Sequence, residues 1–145
     1  MVLEFNCRFG DPEAQPLLVR MKSDIVPILN AVVDERLAEK TIDCRDEASV
    51  CIVMTSNGYP GDYKKGTEIK GLEEVENMNG VFVFHSGTEF KDERIITSGG
   101  RVLGVTALGR TIPNTIDLAY EAVEKIDCES LYYRTDIGKK ALKYI

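Results

Sequence analysis

The stretch that most constrains this chain is Ala48-Ser-Val-Cys-Ile-Val-Met-Thr55, a continuous apolar run rich in β-branched residues. Such a run reads as a buried strand. A buried strand must pair, because its backbone amides and carbonyls have no water to bond. The partners offered by the sequence are Val81 to His85, Arg94 to Thr97 and the mostly apolar Arg101 to Leu108. Glu89 to Glu93 reads as a hairpin tip and Ser98-Gly99-Gly100 as a tight loop. Thr67 to Lys70 reads as a short edge strand, Leu72 to Asn79 as a polar connection and Leu131 to Tyr133 as a short strand.

Helical signals flank this block. Asp11 is a candidate N-cap for a short helix over Pro12 to Met21, with Pro12 at the first helical position. Pro16 is tolerable there because it lies near the first turn. Ser23-Asp24 caps a second helix running to about Leu37, whose apolar positions are Ile25, Ile28, Leu29, Val32, Val33 and Leu37. A third helix begins at Thr111, with Ile116, Ala119, Tyr120, Val123 and Ile126 as its apolar stripe. A fourth is expected over Asp136 to Tyr144, capped by Asp136. Strands at hairpin-like spacing followed by helices predict an α+β fold. The charged stretch Asp34 to Asp46 is the expected boundary, giving units of 1–40 and 41–145.

Composition excludes several function classes. A hydrophobic fraction of 43% supports a real core, and 145 residues suit one domain or one domain plus a piece of another. A net charge of −6 argues against a nucleic-acid surface, although not against a local cationic pocket. No apolar run reaches bilayer-spanning length, and MVLEFNCRFG lacks a signal-peptide pattern, so a cytoplasmic location and no membrane partner are expected. Cys7, Cys44, Cys51 and Cys128 form no CxxC pair, and a single His is available, which leaves zinc without a ligand set. The cysteines read as reduced core residues.

Three features carry candidate chemistry. Glu4, Asn6 and Arg8 alternate, so an extended Val2 to Phe9 presents them on one face, with Val2, Phe5, Cys7 and Phe9 behind. The carboxylate and amide oxygens are hard ligands suited to Mg²⁺, and the guanidinium reads carboxylate or phosphate. The alternative is an edge strand with a solvated polar face. Asp11 and Glu13 could handle a proton or hold an amine, yet a helix N-terminus attracts carboxylates anyway. Ser98-Gly99-Gly100-Arg101 could hold a phosphate through backbone N–H groups and Arg101, or be a hairpin turn with a solvated Arg. Neither a P-loop nor a dinucleotide fingerprint is present. His85 reads as a satisfied structural residue, Tyr132 and Tyr133 as packing.

The motifs EFNCRFGDPEAQPLL, KSDIVPIL, NGYPGDYKKG, VFHSGT, TSGGRVLGVTALG, AYEAVEKI and YYRTDIGKKAL occur in that order. Together they closely resemble the C-terminal part of the glycinamide ribonucleotide synthetase (phosphoribosylamine–glycine ligase) family, over essentially the whole chain. Ser86 stands where that family leads us to expect Ala, and Ile42 to Asp46 lacks its frequent Trp. The resemblance implies the end of an ATP-grasp domain followed by a small α+β barrel-sandwich domain that closes one side of the active site. It implies that Glu4 and Asn6 ligate Mg²⁺ (or Mn²⁺) bridging the ATP phosphates, with Arg8 facing the acyl phosphate or its donor. It further implies ligation of glycine to 5-phosphoribosylamine through a glycyl phosphate, an early step of purine synthesis. The other parts of such an enzyme would be this chain's partners, and alone it is expected to be inactive. The competing expectation is a stand-alone binding or interaction module without catalysis.

Overall fold

The structure, a computed structural model, describes residues 2, 5 and 7–145. The strands β1 (Ala48–Ser56), β2 (Val81–His85), β5 (Arg101–Gly109) and β6 (Leu131–Tyr132) form an antiparallel sheet in the order β2-β5-β1-β6. β3 (Thr88–Lys91) and β4 (Arg94–Thr97) make a separate hairpin. The helix α4 (Ile112–Glu124) covers one face of the sheet. Thr111 caps it, accepting from the Asn114 N–H, and Pro113 occupies its first turn. Ile52, Met54, Leu103, Val105 and Ala107 alternate toward that face and meet Ala119, Ala122 and Val123 of α4, all essentially inaccessible. The sheet and the stripe are therefore two halves of one core, as their periods of two and 3.6 predict.

The opposite face of the sheet is only half covered. Cys51 pairs with Thr106 and Val53 with Gly104, and the short helix α1 (Ala14–Leu18) rests above them. The Ser49 hydroxyl donates to the Pro16 carbonyl at 2.6 Å. Gly104 makes the seat: a Cβ there would meet Cys51 Sγ at 3.5 Å, Gln15 Nε2 at 3.8 Å and Phe84 Cβ at 3.8 Å. The β1–β5 ladder then slips by one residue. Met54 faces Leu103 but Thr55 faces Arg101, so Val102 is the extra residue of a bulge. Since side chains alternate, the slip puts Arg101 on the half-covered face with Thr55 instead of in the core.

Several expectations are corrected. The first helix spans only Ala14–Leu18 and starts from Glu13, not Asp11, because the Asp11 carboxylate is held by Arg101. The second, α2 (Ile25–Val33), has the expected Asp24 cap, which accepts from the Val26 N–H at 2.9 Å. It stops four residues early. Glu35 takes a left-handed φ of 58°, and Arg36 N–H reaches back to the Ala31 carbonyl, the hydrogen-bond pattern of a Schellman stop without its usual glycine. Of its apolar stripe only Ile28 is buried, while Leu29, Val32 and Val33 face out, Val33 by 83%. Leu72 to Asn79 contains a short helix, α3 (Leu72–Glu76), anchored by buried Leu72 and Val75. Thr67 to Lys70 makes isolated bridges, at Glu68 and Lys70, and no strand. The hairpin tip narrows to Asp92-Glu93, both at positive φ. Asp136 to Tyr144 holds only a 3₁₀ turn, Ala141–Tyr144. Asp136 does not cap it, being clamped by Arg134 at 2.9 and 2.7 Å.

Leu3, Glu4 and Asn6 lie outside the described residues. Of their neighbours, Cys7 and Arg8 sit in a bend, and Val2, Phe5 and Phe9 are exposed, Phe5 by 84%. Among the described residues none of these joins a sheet. No helix among the described residues is long and apolar enough to cross a membrane.

The account of the core predicts that Ile52→Ala, at a fully inaccessible site between sheet and α4, costs about 2–5 kcal/mol. Denaturant unfolding checks this; a loss under about 1 kcal/mol would contradict a close-packed core there.

Candidate functional site

The half-covered sheet face opens into a cleft of about 350 Å³. Its floor is Cys51, Val53 and Thr55, the outward residues of β1. Arg101 enters from the bulge, and Tyr132, Arg134 and Ile137 come from β6 and the segment after it. Pro12 and Tyr59 complete the rim.

Each wall has a local cause. Ser56 is buried and ties β1 to the glycine loop: its N–H donates to the Gly100 carbonyl at 2.7 Å and its hydroxyl to the Gly99 carbonyl at 2.8 Å. Tyr59 lies directly over Gly100, where a Cβ would strike its ring. Gly99 packs on Gly87, whose carbonyl accepts from Ser98 N–H at 2.7 Å and Gly99 N–H at 3.1 Å. The glycines thus permit close loop packing, and the Ser98 and Gly99 amides are already bonded within the protein. The segment after β6 lacks regular structure, but Tyr120 of α4 holds it. Its hydroxyl donates to the Arg134 carbonyl at 2.8 Å and accepts from the Ile137 N–H at 3.0 Å.

Asp11 and Arg101, ninety residues apart, meet at 2.7 Å, and Arg101 Nη1 also reaches the Asp11 carbonyl at 3.4 Å. The Asp11 carboxylate raises the Arg101 pKa further, so the guanidinium stays charged. The pair is half exposed, with side-chain accessibilities of 43% and 61%, so water screens it and it contributes at most about 1 kcal/mol. Across the cleft, the Arg134 guanidinium lowers the Asp136 carboxyl below its ordinary pKa, through hydrogen bonding first and charge second. Burial raises the Cys51 thiol above its ordinary value of 9.0. Cys51 is therefore neutral and poorly nucleophilic.

The other candidates are placed elsewhere. The Glu13 carboxylate folds against Gly10. Arg8 donates to the neighbouring Phe9 carbonyl at 2.8 Å. Glu4 and Asn6 fall outside the described residues, and among the described residues no cluster of His, Cys, Asp and Glu is placed to hold a metal ion. His85 bonds Thr88 Oγ1 through Nδ1 at 2.9 Å. Sequence reading missed Tyr59 and Arg134 as cleft residues and gave Tyr132 a packing role. The available signal was that both NGYPGDYKKG and YYRTDIGKKAL stood out as motifs with no chemistry attached.

Residues 49–140 match the family described as phosphoribosylglycinamide synthetase, C domain. The chain is 49% identical over 137 residues to phosphoribosylamine–glycine ligase of Caldanaerobacter subterraneus, covering 94% of this chain and 32% of that protein. It is 47% identical over 143 residues to the Escherichia coli K12 protein of the same name, covering 98% of this chain and 33% of that one. A crystal structure of phosphoribosylamine–glycine ligase from Thermotoga maritima superposes with a TM-score of 0.71 at 31% identity, over 93% of this chain and 32% of that one. The chain thus spans about a third of the length of these relatives.

Burial of Cys51 predicts that iodoacetamide modifies the exposed Cys7 and Cys44 well before it, read by peptide mass spectrometry. The unfolded thiol loses its proton near its ordinary value of 9.0 while the folded thiol keeps it. This contribution to stability is therefore full below that pH and falls as pH rises above it. Cys51 reacting as fast as Cys7 would contradict the assignment.

Proposed function

The chain belongs to the phosphoribosylglycinamide synthetase family through its C domain, and from that membership we propose that the complete protein is a phosphoribosylamine–glycine ligase. In this reading ATP phosphorylates the glycine carboxylate. The amine of 5-phosphoribosylamine then attacks the glycyl phosphate carbonyl and phosphate leaves. ADP, phosphate and glycinamide ribonucleotide are the products, a step of de novo purine biosynthesis in the cytoplasm. Residues 1–40 form the last stretch of an ATP-grasp domain, and 41–145 the small α+β domain closing one side of the active site. The partners are the remaining parts of the same enzyme and its small substrates, without nucleic acid or membrane.

The donor chemistry of the opening stretch fits a magnesium-dependent nucleotide site. Glu4 and Asn6 offer one carboxylate and one amide oxygen, the hard ligands that Mg²⁺ or Mn²⁺ shares with phosphate oxygens. Bound there, the metal would neutralise phosphate charge. Arg8 supplies a guanidinium toward the acyl phosphate. Asp11 and Arg101, with Gly99 and Gly100 shaping their loop, lie on the substrate side. Transfer to a carboxylate needs positioning and charge neutralisation more than a protein nucleophile, which accords with the neutral Cys51. The observation that carries the reading is identity of 47–49% across nearly the whole chain to proteins bearing this name.

A coupled ADP-release assay with glycine and 5-phosphoribosylamine tests it. The full-length protein is expected to release ADP only with glycine and Mg²⁺ present, and the present chain alone to release none. Full-length protein without glycine-dependent ADP release would refute the proposal. Glu4→Gln in the full-length protein is expected to raise the Mg²⁺ requirement by about tenfold or more, as loss of a charged ligand does. An unchanged Mg²⁺ titration would remove Glu4 from the metal site.

A further inference from the structure

We propose that a site at the end of β5 away from the Arg101 cleft binds a phosphate dianion, either free or as the head of a monoester. The site does not depend on the ligase reading and needs none of its substrates. Arg110 follows β5 directly, nine residues after Arg101, which at about 3.3 Å per residue is roughly 30 Å along the strand. There a cavity of about 740 Å³ opens between Arg20 and Arg110. It adjoins a groove of about 460 Å³ that shares Arg110 and adds Lys22 and Arg45.

The backbone brings these cations together. Met21 bridges Cys44, the Arg45 N–H donates to the Arg20 carbonyl at 2.7 Å, and the Lys22 N–H donates to the Asp43 carbonyl at 2.8 Å. Side chains of paired extended segments alternate, so Arg20, Lys22 and Arg45 share the face opposite Met21 and Cys44. Two arginines thus stand directly across from each other, an arrangement that repels. Among the described residues none of the four cations is in an ion pair, whereas Arg101 and Arg134 at the cleft each hold a carboxylate. Asp46 and Glu47 lie on the same walls and come within ion-pair distance of none of the four. Four cations against two carboxylates leave two positive charges over, in a chain of net charge −6. A phosphate dianion matches that surplus and takes guanidinium donors in paired hydrogen bonds.

Arg20 supplies an independent observation. Its Nη2 donates to the Arg45 carbonyl at 3.1 Å, but its Nε is buried with no acceptor among the described residues. Buried donors are nearly always satisfied, and an anion on this guanidinium provides the acceptor that the described residues do not. Ala48, Ile112 and Pro113 continue the cavity wall without charge. The volume falls within that of small-molecule sites, about 300–1,000 Å³. It exceeds what a bare phosphate fills, which favours a monoester whose organic part rests on that wall.

The test follows the full-length protein by hydrogen exchange and thermal melting, with inorganic phosphate and AMP as probes against chloride of equal ionic strength. Slower exchange is expected in the peptides carrying residues 20–23, 43–47 and 110–113, with a rise in melting temperature. Half-maximal protection at a lower concentration of AMP than of phosphate assigns a monoester; equal concentrations assign the free ion. Arg110→Ala is expected to raise the half-maximal concentration about tenfold, the loss of one charge-assisted contact. Should that variant melt below the assay temperature, Lys22→Ala, at an exposed position, decides by the same readout. Arg45→Gln is expected to melt above the wild type in chloride, since it relieves the repulsion from Arg20, and to gain less from phosphate. No protection of these peptides by either probe overturns the proposal, as when the remainder of the protein covers the site. So does protection unchanged in Arg110→Ala, or Arg45→Gln melting below the wild type in chloride, since the cations would then be structural.

Discussion

The pairing of β1 with β5, and the one-residue slip within it, is the constraint on which the rest depends. For seven consecutive pairs, Ala48 with Gly109 through Met54 with Leu103, the register is regular. It delivers one face to α4 as a dry core. The slip at Val102 then moves Arg101 out of that alternation. A period of two allows no intermediate: a residue at the end of this ladder points either into the core or into the cleft. A charged side chain in the core would be costly, so the bulge both relieves that conflict and furnishes the cleft with a guanidinium.

Stability and function are separated in this arrangement. The core residues Ile52, Met54, Leu103, Val105 and Val123 are inaccessible and carry the fold. The ion pairs at the cleft, Asp11 with Arg101 and Arg134 with Asp136, are largely exposed. Screening by water keeps their contribution to stability small. They hold directions more than they hold the protein together, and groups held weakly by exposed partners remain available to a ligand. The apolar side chains of α2 that face outward, and the exposed Phe5 and Phe9, have no counterpart in this core. They belong to a chain spanning about a third of its relatives.

The strands and α4 were legible because their periodicity is strong and their ends are signed. The buried run at β1, the apolar β2 and the Thr111 cap with Pro113 all appear where the sequence puts them. Two of the failures share a cause, which is that a carboxylate took an ion-pair partner over the amides of a helix N-terminus. Asp11 and Asp136 look like caps, yet each pairs with an arginine. The α2 stop uses Glu35, a residue that gives no stop signal. The stripe of α2 has the right period without the facing surface that period presumes. At the candidate site, Arg101 and its glycines were visible as a loop motif. The meeting of Arg101 with Asp11 and of Tyr59 with Gly100 required the fold, because nothing local encodes a contact across ninety residues or a bulge that reverses one side chain.

The most direct measurement is a crystal structure of the full-length protein. The slip in the β1–β5 ladder predicts Val102 as the extra residue between the Met54–Leu103 and Thr55–Arg101 pairs, with Arg101 on the half-covered face beside Asp11. A regular ladder through Arg101, with its side chain turned toward α4, would contradict it.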